Sequence, residues 1–254
     1  MAIYIGIDLG TSSVKLLAID EHGKIVHQCQ QDYTISQPQP GFKEIDPKQW
    51  INAVENGLAE LLNPLDRDQV SGIGVTGQMH TTLFLDAAGE SIRPALMWND
   101  TRTTSCVKQL KDRLYDTDDT RLIQEILSTG SPAANLYWLK QNEPENFLAM
   151  RHFVIGPDYI VHYLTGKIST DYCEASTSSL YDIKTKTWSE SMAKIIGIPC
   201  DVYPPIYGSG EIVGTIQSTL SKKFGLSKEV FVIAGTGDNP AAAIATGCLQ
   251  GDFP

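Results

Sequence analysis

Ile5-Gly6-Ile7-Asp8-Leu9-Gly10-Thr11-Ser12-Ser13-Val14-Lys15 is the stretch on which the fold turns. Residues 2–8 form a short, Ile-rich run that predicts a buried strand. Asp, Gly and three hydroxyls follow at once, which is turn chemistry. Apolar residues resume over 14–19, and a third run covers 24–33 after Asp20-Glu21-His22-Gly23. Three strands joined by tight turns predict an antiparallel meander.

The turn at Gly10, Thr11 and Ser12 also suggests chemistry. Backbone N–H groups around a Gly-and-hydroxyl turn converge on one concavity and suit anionic oxygens. Asp8, at a strand end, could hold Mg²⁺ through water, because Mg²⁺ dehydrates reluctantly. The plainer alternative is a hairpin turn in which Asp8 caps its own backbone. A Walker A loop is excluded, since G-x-x-x-x-G-K-[ST] occurs nowhere.

Downstream, Gln37-Pro38-Gln39-Pro40-Gly41 reads as a loop. Asp46-Pro47-Lys48-Gln49 then opens a helix, with Asp as N-cap, Pro in the first turn and Gln49 in the capping-box position. Trp50, Val54, Leu58, Leu61 and Leu62 make its apolar stripe. Residues 70–75 predict a central, parallel strand, and residues 82–86 another short one. Residues 101–127 read as helical, 131–135 as a loop, 136–140 and 143–145 as helix starts. A strand over 152–155 and a helix over 159–164 closed by Gly166 follow, with 167–182 irregular or short-stranded. A last strand, 230–234, leads through Gly235-Thr236-Gly237-Asp238-Asn239-Pro240 into an Ala-rich helix over 241–246. The expected fold class is an α/β layer with a mixed sheet, capped or interrupted by a helical and loop section over roughly 95–225.

Three further motifs are candidates for chemistry. Asp238 stands beside two glycines at a strand end and could take a proton from a hydroxyl nucleophile; its simpler role is N-cap of the following helix. Gln78 and His80 in Gly77-Gln78-Met79-His80 follow the central strand, where α/β sheets place ligands, and could bond a polyol. Trp98-Asn99-Asp100-Thr101-Arg102 offers an aromatic face, an amide and a carboxylate, a combination suited to sugars. Its plainer reading pairs Arg102 with Asp100. The acidic run Asp116-Thr117-Asp118-Asp119 reads as a solvated helix start. Zinc, EF-hand and G-x-S-x-G patterns are absent from the sequence.

Composition narrows the class. The chain has 254 residues, 20 basic and 30 acidic, for a net charge of −10, and lacks a basic stripe for nucleic acid. With 42% hydrophobic residues it can build a full core without staples. Its five cysteines are odd in number and scattered, which predicts free thiols in a reducing compartment. No signal peptide or membrane-length apolar run is apparent, so a cytoplasmic protein without membrane partners is expected.

Together these motifs resemble the FGGY carbohydrate kinases, most of all those of the xylulokinase type. The matching pieces are the Asp8-Leu9-Gly10-Thr11-Ser12 stretch, Gly41-Phe42-Lys43-Glu44-Ile45-Asp46-Pro47, Gly77-Gln78-Met79-His80, Leu96-Met97-Trp98-Asn99-Asp100-Thr101-Arg102, Asp158-Tyr159 with Leu164-Thr165-Gly166, Thr170-Asp171 with Ala175-Ser176, and Gly237-Asp238-Asn239. The resemblance implies a ribonuclease H-like domain of the actin, Hsp70 and hexokinase superfamily. It implies ATP-dependent phosphorylation of a sugar, here D-xylulose to D-xylulose 5-phosphate, with ATP and Mg²⁺ as cofactors. Asp238 would be the general base, and Asp8 would serve Mg²⁺ and phosphate. Met79, His80, Gln78, Asn239, Trp98 and Asp100 would line the sugar pocket with Asp238. Gly10, Thr11, Ser12 and Lys15 would face the nucleotide phosphates.

The same resemblance implies that residues 1–245 are the N-terminal domain and that 246–254 begin a hinge toward an ATP-binding domain the chain lacks. By itself the chain is expected to be inactive. A homodimer is among the assemblies it allows. Two departures stand out: Asn135 where the family often has Lys, which leaves the loop 129–137 open, and Phe42 for the common Trp. Alternatives are a kinase for another polyol (ribulose, gluconate or glycerol) and a non-catalytic sugar-binding module.

Overall fold

The computed structural model describes residues 2–114 and 120–248. The meander forms as expected. β1 (Ile3–Leu9), β2 (Ser13–Asp20) and β3 (Ile25–Asp32) pair antiparallel in sequence order. One expectation needs correcting: β1 is buried on one face only. Ile3, Ile5, Ile7 and Leu9 enter the core, while Tyr4, Gly6 and Asp8 lie on the open face. The two-residue period of a strand produces this alternation, and it is what leaves Asp8 reachable.

The central strand Val70–Gly77 runs parallel to β1, from Ile3 opposite Val70 to Leu9 opposite Gly77. Its other edge pairs in parallel with Phe231–Ile233 and then with the short strand Thr236–Gly237. Ile212–Thr215 closes that side of the sheet antiparallel. The sheet is therefore mixed, antiparallel at its margins and parallel at its centre, as the fold class requires.

Helix α1 (Pro47–Leu62) covers one face of the sheet. Asp46 caps it by accepting from the Lys48 N–H at 2.9 Å. Gln49 does not complete a capping box: its side-chain oxygen accepts from the Thr34 N–H at 3.1 Å and ties down the loop after β3. Trp50, Val54, Leu58, Leu61 and Leu62 are all buried. Burying each side chain of this size contributes about 1.5–3 kcal/mol.

A second core gathers Phe84, Leu96, Leu110, Leu136, Phe153 and Tyr203 around a small antiparallel sheet. Trp188 and Tyr203 stack within it at 4.9 Å between ring centroids. The section over 95–225 is not one separate block. Helix Gly156–Thr165 and strand Ile212–Thr215 return to the first core, where Ile160, Val161, Leu164 and Val213 pack.

The helical reading of 101–127 resolves into Thr104–Arg113 and Thr120–Ile126; the acidic run 116–119 lies outside the described residues. The expected loop 131–135 is instead the first turn of helix Pro132–Asn142. Pro132, Ala133, Ala134, Asn135, Leu136, Tyr137 and Leu139 are all buried, so the helix lacks an apolar stripe from which periodicity could be read. Within 167–182 stands a six-residue helix, Tyr172–Thr177, too short to show a period. Among the described residues no helix is long and apolar enough to cross a membrane.

Candidate active site

Three parallel strands end side by side. Leu9 pairs with Gly77, and Gly77 pairs with Gly237; one step earlier Asp8, Thr76 and Thr236 form the same row. The Gly10 turn, the Gln78-Met79-His80 segment and Asp238 all lie just beyond these ends. Ligands of α/β sheets collect at such carboxyl ends. An open groove of about 910 Å³ runs along the uncovered sheet face, with Asp8, Lys15, Thr76, Ser209 and Thr236 on its walls.

The Gly10 turn is pinned from several directions. Its N–H donates to the Ser13 carbonyl at 3.0 Å, and its carbonyl accepts from the Gln78 side-chain amide at 3.2 Å and from the Tyr33 hydroxyl. Thr11 Oγ1 accepts from the Trp98 indole N–H at 3.3 Å, and Ser12 is exposed. Asp8 does not cap its own turn, since no hydrogen bond or ion pair among the described residues takes up its carboxyl oxygens. Lys15 is its cross-strand neighbour. Burial raises the Asp8 pKa above the ordinary aspartate value; Lys15 pulls it down and Asp238 pushes it up. Asp8 and Asp238 therefore share one electrostatic field.

The expected helix over 241–246 begins earlier, at Asp238 itself, with Gly237 as N-cap. Asp238 is thus the first helical residue rather than the cap. It is exposed, and one of its oxygens accepts from the Asn239 N–H at 2.8 Å. Gly235 makes this strand-to-helix turn possible: its φ is +77°, and a Cβ there would fall 1.9 Å from the Val75 carbonyl oxygen. Gly237 lies against Met79, whose Cγ would be 2.6 Å from an added Cβ. Asn239 approaches the Met79 sulfur at 4.0 Å.

His80 sits in left-handed backbone conformation at φ 68°, uncommon for a side chain other than glycine. Its carbonyl accepts from Thr82 Oγ1 at 2.8 Å, and Asn135 donates to the same Thr82 oxygen at 2.9 Å. Asn135, left open by the sequence, is thus a buried strut beneath the His80 turn. Burial lowers the His80 pKa and Asp238 opposes it, so the neutral imidazole is favoured at neutral pH. Trp98 presents an aromatic face, 47% exposed.

Two residues assigned to the sugar have other partners. Gln78 is buried, and its amide is committed to the Gly10 carbonyl, so it braces the first turn. Asp100 is 1% exposed; its oxygens accept from the Lys43 N–H at 2.6 Å and from the Arg102 guanidinium at 2.8–3.0 Å. The pairing of Arg102 with Asp100 is the part of that motif the structure supports. Tyr33 and Glu174 were missed. Tyr33 lies far from the motif it braces. Glu174 had a signal, because Asp171-x-x-Glu174 has capping-box spacing. Asp171 does accept from the Glu174 N–H at 2.8 Å, but the Glu174 carboxyl turns inward toward the site.

Comparison with known proteins fits this geometry. Residues 3–245 match the model of the FGGY family of carbohydrate kinases, N-terminal domain. The xylulose kinase of Bacillus subtilis (strain 168) is 34% identical, over 98% of this chain and 50% of its own length. A xyloylose kinase from Brucella ovis superposes with a TM-score of 0.91 at 32% identity, over 98% of this chain and 51% of the other. A glycerol kinase from Plasmodium falciparum, solved with ADP, superposes with a TM-score of 0.88 at 26% identity, over 98% and 51%. The chain spans about half the length of the curated relatives it matches. The parallel strand ends, the Asp8 turn and the family match together place this chain in the FGGY family of carbohydrate kinases, as its N-terminal domain.

Proposed function

We propose that this chain is the sugar-binding lobe of an ATP-dependent kinase that converts D-xylulose to D-xylulose 5-phosphate. The observation that carries the reading is the pair Asp8 and Asp238, at the carboxyl ends of the two parallel strands that flank Val70–Gly77, with the Asp238 charge felt by both Asp8 and His80. In this reading residues 1–245 are the N-terminal domain and 246–254 begin the hinge toward a second, ATP-binding lobe; residue 1 and residues 249–254 lie outside the described residues. The four described thiols are free, which suits the cytoplasm.

In this reading Asp238 accepts the proton of the sugar hydroxyl. The hydroxyl oxygen bonds to the γ-phosphorus while the bond from that phosphorus to the bridging oxygen breaks, leaving ADP. Neutral His80 hydrogen-bonds a sugar hydroxyl, Met79 lines the apolar side, Trp98 offers its face to the carbon skeleton, and Asn239 flanks Asp238. The N–H groups of Thr11 and Ser12 face phosphate oxygens, with Lys15 nearby, while the Gly10 N–H holds the turn through the Ser13 carbonyl.

The residues fit a hydrated Mg²⁺ at Asp8. Its carboxyl is uncommitted, and the buried hydroxyl of Thr76 beside it has no partner. When bound, Mg²⁺ would offset phosphate charge there.

The test is a coupled assay of ADP release by the two-lobed enzyme over a panel of ketoses and polyols. D-xylulose should give the highest kcat/KM. Preference for ribulose, gluconate or glycerol would move the reading to another polyol. Sugar binding without turnover in the two-lobed protein would favour a non-catalytic module. The isolated chain should show negligible turnover, because a kinase must exclude water between two closing lobes.

A further inference from the structure

Glu174 lies on the short helix Tyr172–Thr177 with 2% of its surface exposed. Neither carboxyl oxygen has a hydrogen-bond partner of ordinary geometry, only a looser approach of the His80 backbone N–H, and no ion pair among the described residues includes it. A buried acid with neither kind of partner needs a reason. Its surroundings supply one. Oε1 is 3.0 Å from where a Cβ on Gly237 would stand, and the Met79 Cγ and Sδ would lie 2.6 and 2.8 Å from the same point. The backbone N–H of His80 is the favourable group facing the carboxyl.

We infer that Glu174 is a positioning residue for the sugar pocket: its carboxyl wedges between the Met79-His80 turn and the Gly237-Asp238 junction and holds the two at a fixed spacing. This rests on the reading that those two segments line a sugar site. The contact joins segments some 160 residues apart in sequence, one carrying the neutral imidazole and the other the base. The wedge can bear on both at once because Gly237 has no side chain to keep it away.

The chemistry of the wedge follows from its neighbours. Burial pushes the Glu174 carboxyl well above the usual carboxylate range. Asp158 and Asp171 push it further, the His80 amide draws it back, and Asp238 adds a smaller push. Asp158, fully enclosed, is raised by burial as well, and its oxygen accepts from the Ile155 N–H at 3.3 Å. Asp171 is committed to the Glu174 N–H and to Ser209 Oγ at 2.7 Å. Cys173, on the same helix, is pushed up to about 11, chiefly by burial. No guanidinium or ammonium among the described residues pairs with these acids, so the environment favours the neutral form of Glu174, which has one donor and spare acceptor sites.

The experiment has two arms. In this chain, the Glu174 side-chain ¹³C shift is followed with pH, together with the amide shifts of Met79, His80, Gly237 and Asp238. A protonated carboxyl at neutral pH is expected; a carboxyl titrating near the ordinary value of 4.5 overturns the inference. Glu174→Gln should leave the four amide shifts in place, and Glu174→Ala should move them. In the two-lobed enzyme, Glu174→Ala should raise KM for D-xylulose about tenfold with KM for ATP unchanged, and Glu174→Gln should restore it. Unchanged amide shifts and unchanged KM in Glu174→Ala overturn the inference. If the alanine variant does not fold, the carboxyl titration and the glutamine variant decide. If the enzyme proves not to phosphorylate sugars, the kinase reading falls, while the first arm still judges the wedge.

Discussion

Two buried acidic regions of this molecule have opposite electrostatic designs. In the first, Glu44, Asp100 and Glu143 face Arg93 and Arg102. Arg102 reaches Asp100 and Glu44, each at 2.8 Å, and Arg93 reaches Glu143 at 2.9 Å. The Arg102 guanidinium also lies 3.9 Å from the Phe42 ring centre and 4.8 Å from that of Trp138. In the second, Asp158, Asp171 and Glu174 crowd together with no cation paired to them among the described residues. The first region joins the loop before α1 to the Trp98 loop and gives each acid an arginine. The second leaves acids unpaired next to the residues proposed for chemistry, and perturbed groups gather at such places. A buried carboxylate by itself thus says little; its partner decides whether it ties structure together or supports a site.

The largest expected effect tests the functional side. Asp238→Asn in the two-lobed enzyme should lower sugar phosphorylation about a thousandfold, at the scale of a lost general base, with an unchanged circular dichroism spectrum. Retained turnover would remove Asp238 as the base.

The next prediction tests the paired side. Arg102→Leu leaves Asp100 and part of Glu44 unpaired and should cost about 3–5 kcal/mol in urea unfolding. Arg102→Lys should recover only part of this, since an ammonium lacks the planar fork that engages both acids and the rings. A loss below about 1 kcal/mol would show that the network is no more than a surface pair in worth.

His80 lies between the two designs, strained in backbone and polar in side chain. His80→Gly should raise stability by about 1 kcal/mol by relieving the left-handed backbone, while raising KM for the sugar more than KM for ATP. Equal effects on both KM values would make His80 structural.

The smallest effect is a slope. The raised acids Glu174 and Asp158 bind protons more tightly in the folded than in the unfolded chain. Their contribution is fully present below the unfolded values, 4.5 and 3.8, and is lost as pH rises toward the folded ones. Unfolding free energy measured against pH should therefore carry a falling component above about pH 4.5, which Glu174→Gln reduces by the Glu174 share. An unchanged slope in that variant would mean that Glu174 is not the unpaired acid.

Much of the fold was legible because its signals are local. Turn residues at 8–13 and 20–23 set the meander, Asp46-Pro47 set the start of α1, and the apolar run at 70–75 marked the central strand. Helix Pro132–Asn142 was misplaced at its start because burial on all sides erases a stripe. Asp8 and Asp238 could be named since each ends an apolar run beside glycine. The Arg102–Asp100 pair was legible because it spans two residues, but other contacts of Gln78, Asp100, Tyr33 and Glu174 were not, because those partners are distant in sequence: Gly10, Lys43, Gly10 again, and the His80 and Gly237 backbones.

The sequence by itself determined the order of strands and turns in the meander and the positions of Asp8 and Asp238 at the ends of apolar runs beside glycine. These depend on neighbours within a few residues. Only the tertiary structure decided which strand ends lie side by side, which acids meet an arginine and which are left without one. Those outcomes depend on register across the sheet and on burial, and both exist only once distant segments have packed.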